Sequence, residues 1–121
     1  MLNISIKTIK HNKQRYSTTG DYYTQGSRDI IAISKVGNTK YESLVAIHEL
    51  IELILTRANG ISEQLITKWD IEHPELDEPG DDIRALYHRE HILASKVERM
   101  MADAMGIDWD DYNNTLNKLY E

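Results

Sequence analysis

Leu44-Val45-Ala46-Ile47-His48-Glu49-Leu50-Ile51-Glu52-Leu53-Ile54-Leu55 holds only three polar residues, His48, Glu49 and Glu52, in twelve positions. No Gly or Pro interrupts the run and Asn59-Gly60 supplies a stop, so it predicts a helix over 40–58 with Thr39 as its cap. A helix so apolar has to be enclosed by other elements. Upstream, Ile4, Ile6 and Ile9 alternate with Asn3, Ser5 and Lys7, the period of a strand with one buried face over 2–10, and DIIAIS at 29–34 predicts a second strand. The polar stretch between them, with Gly20 and Gly26 around Tyr22-Tyr23, reads as a loop or ragged hairpin. Downstream come a helix over 62–71 and the acidic loop HPELDEPGDD, in which Asp81 or Asp82 is expected to cap the next helix. That long helix, over 83–105, ends at Gly106, and a short amphipathic helix covers 110–120. In the long helix Leu86, Leu93, Val97, Met100 and Ala104 form the apolar stripe expected to bury, with His91 at its edge and Glu90 inside it. Trp69, Trp109 and the Met100-Met101-Met105 group read as core. No internal linker divides the chain. The expected architecture is a single α+β domain over 1–121, a small N-terminal β-sheet packed on a helical core.

Composition narrows the chemistry. Fourteen Lys and Arg face 20 Asp and Glu, a net charge of −6, which opposes the electrostatic footprint that phosphate backbones require, so no nucleic-acid partner is expected. With no Cys there is neither a disulfide frame nor a thiolate nucleophile, and any metal would rest on His and carboxylates. The N-terminus lacks the apolar segment of a signal peptide and no stretch approaches a membrane span, so no membrane partner and a cytoplasmic location are expected.

At about 100° per residue, His48 and Glu52 lie one turn apart on one side of their helix, with Glu49 in the neighbouring sector. Ligands at i and i+4 can grip one metal ion, and a carboxylate next to the first can reach a water beside it. The competing reading is an ordinary amphipathic helix whose solvent-facing sector holds His48, Glu49, Glu52, Thr56 and Asn59.

AIHELIEL resembles the active-site helix of the zincin metallopeptidases, whose H-E-x-x-H motif binds zinc through its first and fifth residues and uses the second as general base. The resemblance implies Zn²⁺ as cofactor, His48 as a ligand and Glu49 as the catalytic base, and Glu52 stands where the family has His. A third ligand that is itself His would restore a set of two His and one Glu. The later helix offers YHREH at 87–91, with His91 as the expected ligand. His88, Glu90 and Glu98 are further candidates, as outer partners or as replacement ligands. The implied reaction is amide hydrolysis in an unknown peptide or protein substrate, with Tyr22, Tyr23, His88 or Arg89 available to an oxyanion.

From LNISIKTI through GDYY, HELIE, EPGDD and YHREH, the chain also resembles small uncharacterised phage and prophage proteins, which implies the host cytoplasm and no particular activity. Two alternatives accompany the hydrolase. One is a non-catalytic phage structural or host-modulating protein in which the metal staples the fold. The other rests on a resemblance of ESLVAIHELIELI to the all-helical nucleotide pyrophosphohydrolases, which implies magnesium on Glu49, Glu52, Glu98 and Asp103.

Overall fold

Five consecutive residues, Ile30 to Ser34, are buried, and a strand buried on both faces belongs in the middle of a sheet. The computed structural model, which describes all residues Met1–Glu121, places it there. Strand β1 (Ile4–Ile9) pairs with β3 (Arg28–Ser34) in parallel, Ile4 opposite Asp29, and β2 (Gly20–Gln25) pairs with the other side of β3 antiparallel, Tyr22 opposite Ile31. The sheet order is β1-β3-β2. Strand β2 falls in the stretch expected to be a loop or ragged hairpin. Gln25 and Arg28 close a two-residue turn in which Gly26 takes φ 65°, and this left-handed residue lets the ribbon reverse in register.

Four helices complete the chain: α1 (Thr39–Ala58), α2 (Glu63–Glu72), α3 (His88–Ala104) and α4 (Trp109–Asn117). The α+β expectation holds. Asn38, not Thr39, caps α1 by accepting the Tyr41 N–H at 3.2 Å, while Glu42 reaches back to the Val36 N–H at 2.9 Å. Gly60 at φ 68° ends the helix, with the Ile61 N–H returning to the Thr56 carbonyl. Ser62 and Asp108 cap α2 and α4. No helix is long and apolar enough to cross a membrane.

Helix α3 differs from expectation in its start and in its orientation. It begins at His88 because Asp82 accepts both the Arg84 N–H and the Arg84 guanidinium, which fixes a turn at the place where the sequence predicts helix. Neither Asp81 nor Asp82 caps it, and a short 3-10 turn at Pro79–Asp81 crosses in front of it. The stripe expected to bury lies outside: Leu93 is 47% and Met100 69% exposed, and Leu86 and Met101 are also exposed. The inward side carries Glu90, His91, Ala94 and Ala102. The two alanines let α3 approach α1 closely, and the polar pair finds partners there. The main apolar core gathers Tyr22, Ile31 and Ile33 of the sheet, Leu44, Val45 and Leu53 of α1, Ala102 and Tyr112. Trp109 and Met105 pack against it, and Trp69 packs on a smaller cluster of Ile66, Ala85 and Tyr87.

Candidate metal centre

The polar sector of α1 faces inward, where Glu52 and Thr56 are buried and His48 is partly so. Because α1 and α3 run antiparallel, His48 meets Glu98 and Glu52 meets His91. Glu52 Oε2 lies 3.1 Å from His48 Nε2 and 3.0 Å from His91 Nδ1, and the three donor atoms fall within 4.8 Å of one another. Two His nitrogens and one carboxylate oxygen form a borderline-soft set suited to zinc. With zinc bonds of about 2.0–2.1 Å, neighbouring donors in a tetrahedral site sit roughly 3.3–3.4 Å apart, so the two carboxylate–imidazole distances fall a few tenths of an ångström short of that spacing.

The atoms not used for the trio are each held. The outer His48 nitrogen, Nδ1, donates to Glu98 Oε1 at 2.8 Å, and Glu98 Oε2 in turn accepts the Tyr112 hydroxyl at 2.6 Å. The outer His91 nitrogen, Nε2, donates to Asp81 Oδ1 at 3.0 Å. The Tyr22 hydroxyl donates to Glu52 Oε1 at 2.9 Å and leaves Oε2 for the imidazoles. Carboxylates behind each histidine fix the ring's orientation and raise its basicity, the usual support of a metal-binding imidazole. A backbone segment completes the enclosure. A Cβ on Gly80 would collide with His91 Cγ, so only glycine lets the Glu78–Asp81 strap lie on the imidazole.

Electrostatics follow from this wiring. Burial opposes charge on both histidines, yet the hydrogen bonds to Glu52 and Glu98 outweigh it and raise His48 well above 6.5. His91 is raised as well, since its bond to Glu52 outweighs the same opposing burial. Burial also works against ionised Glu52, but the two imidazoles prevail and bring it down to about 2. Glu49 shares none of the bonds that hold Glu52. It lies on the wall of a cavity of about 60 Å³ with Tyr16, Gly20 and Asp70, and a Cβ on Gly20 would come within 2.7 Å of its carboxyl. Burial, then the charge of Glu52, pushes Glu49 well above its ordinary 4.5.

The other expected residues lie around this centre or apart from it. Glu98 serves His48, whereas the sequence suggests a role for it beside His91. Glu90 is buried and accepts from Asn59 Nδ2 at 2.8 Å, outside the trio. His88 Nδ1 donates to the Gly80 carbonyl and thereby ties down the strap. Of the four candidates for an oxyanion, only Tyr22 lines the cavity, with its hydroxyl committed to Glu52, while Arg89 is exposed and Tyr23 lies under the Arg15 guanidinium at 4.3 Å. Asp103, expected with Glu98 in the magnesium reading, is exposed. Sequence reasoning gives no site role to Asp81, Tyr112, Tyr16 or Asp70. The last three are joined to distant partners by tyrosine hydroxyls, a bonding that leaves no local pattern. The chain matches no protein-family model, no curated protein and no solved structure.

Proposed function

We propose that the chain is a zinc-dependent, zincin-like hydrolase that cleaves an amide bond in a peptide or protein, with His48, Glu52 and His91 as ligands and Glu49 as general base. In this reading it works in the cytoplasm, that of the host if a phage encodes it. One observation carries the proposal: three donors converge while the outer nitrogen of each histidine is held by a carboxylate, and a fourth carboxyl, Glu49, stands beside them on a cavity wall. Zinc held by these atoms would supply the Lewis acidity that polarises a carbonyl and acidifies a water. Glu49 would take the proton of the attacking water and hand it to the leaving nitrogen. Glu98 and Asp81 keep the two imidazoles in place throughout.

A second reading, in which the metal only staples α1 to α3, draws on the small cavity and on the strap that covers His91. Two single substitutions separate the readings. Purified without chelator, the protein is expected to carry about one zinc per chain, and His48→Ala or His91→Ala should remove it. Glu52→Gln should lose metal and melt at lower temperature, because binding free energy is withdrawn from the folded state. Glu49→Gln should keep both metal and melting temperature while abolishing hydrolysis of a quenched peptide library. If both Gln variants lose metal, the ion is structural. If both keep it, the trio is not a metal site.

A further inference from the structure

Helix α3 has two faces of opposite chemistry, and the apolar one faces water. At about 100° per residue, Leu93, Val97, Met100 and Ala104 share a sector roughly 60° wide, turned about 140° away from the inward side. The inward side carries His91, Ala94 and Ala102, which are at most 4% exposed, against 47% for Leu93 and 69% for Met100. The turn leading into α3 extends the apolar surface with Leu86, 45% exposed, and Ile83. Nothing in the chain covers this ridge, although its spacing is that of a helix–helix seam.

The charges beside the ridge say what covers it. Along one flank run Arg89, Lys96 and Asp103, all exposed, in the order basic, basic, acidic. A second α3 laid antiparallel, with Leu93 against Met100 of the other copy, brings Arg89 of each opposite Asp103 of the other. The two Lys96 residues then come together at the two-fold axis, where each aliphatic stem covers Val97 of the other copy while the ammonium groups turn apart into water. In a parallel two-fold pair this flank would instead face the opposite flank of the other copy, where Glu90 is buried and Met101 exposed, and the charge match would be lost. A membrane surface fits less well, because the flank ends in an acid and the net charge of −6 opposes anionic lipid. We propose that the chain forms a two-fold symmetric dimer in which α3 packs antiparallel on α3 of a second copy through Leu93, Val97 and Met100. The metal centre lies on the inward face of the same helix, so this proposal stands or falls independently of the function above.

Sedimentation over a dilution series should show a species of twice 14.0 kDa that dissociates on dilution. Leu93→Glu should weaken association by at least about 30-fold, with an unchanged circular-dichroism spectrum because the residue is already half exposed. Met100→Glu repeats the test at a still more exposed position should the first variant lose structure. Arg89→Asp and Asp103→Arg should each weaken the dimer about threefold, and the double exchange should restore it. A monomer at every concentration, or a dimer indifferent to both Glu variants, overturns the proposal. It is equally overturned if the double exchange is no better than the singles. Capture of the monomer by phosphatidylcholine–phosphatidylglycerol vesicles through Leu93 and Met100, or a stable complex with a different protein that occupies the ridge, would assign the ridge to another occupant and also overturn it.

Discussion

Two interiors that hold together by different physics meet along helix α1. On its sheet side, Leu44, Val45 and Leu53 meet Ile31, Ile33 and Tyr22, a region of close-packed hydrocarbon. On its α3 side, a chain of polar bonds runs from Tyr112 through Glu98, His48, Glu52 and His91 to Asp81. The apolar region draws its stability from area withdrawn from water, roughly 25 cal/mol per Å². In the polar region every group is the partner that justifies burying the next, so removing one link leaves another unsatisfied. Tyr112 belongs to both, with its ring in the core and its hydroxyl on Glu98. The first interior builds the fold, and the second is tolerated only because it is complete.

The strongest way to break this contrast is Leu44→Ala. Leu44 is fully buried, and the cavity should lower the unfolding free energy by about 3 kcal/mol. If the two interiors are independent, urea denaturation should give the same loss with and without a chelator. A loss that shrinks when any bound metal is stripped would show the regions to be coupled.

A smaller effect is expected from pH at Asp70, whose two oxygens accept the hydroxyls of Tyr16 and Tyr87. Burial, only partly offset by those bonds, lifts this carboxyl from 3.8 to about 6. The folded state therefore holds the proton more tightly than the unfolded chain does. The stability that this gives is full below 3.8 and is lost as pH rises through about 6. Asp70→Asn should remove that dependence, so that relative to the variant the natural protein loses ~2 kcal/mol between about pH 4 and pH 7. Parallel slopes for the two proteins in urea titrations across this range would contradict it.

Tyr112→Phe gives the smallest change and probes the boundary itself. The ring stays in the core while Glu98 loses one of its two bonds, for a cost of about 1 kcal/mol. Imidazole proton spectra should show the change at His48 and leave His91 unaltered.

The sequence is readable where one residue decides its own neighbourhood. The strands at β1 and β3, the α1 run, the stop at Gly60 and the i, i+4 pair of His48 and Glu52 follow from local period and spacing, whereas His91 is reached only through the resemblance to helices that take a further ligand from later in the chain. Strand β2 is not readable, because its pairing is made by backbone groups while its side chains, bracketed by glycines, look like those of a loop. Asp81 reads as a cap, since its reach to His91 depends on the turn that Asp82 sets. The orientation of α3 comes out inverted for a more general reason. Periodicity tells which face is apolar, but a helix that must help enclose a polar cluster turns that face outward. Glu98 falls to the wrong histidine because the antiparallel crossing of α1 and α3 is a tertiary fact.

The sheet order carries a consequence for synthesis. Strand β3 is the last of the three to leave the ribosome and the only one that touches both others. While β3 is still inside the ribosome, β1 and β2 have no strand to pair with. Once Arg28–Ser34 appears, the β2–β3 hairpin can zip within roughly 1–10 μs. Ile4 must then find Asp29 across the intervening chain, a slower closure. Release of β3, rather than the order of the strands in the gene, sets the moment at which the sheet exists and α1 has a surface to settle on.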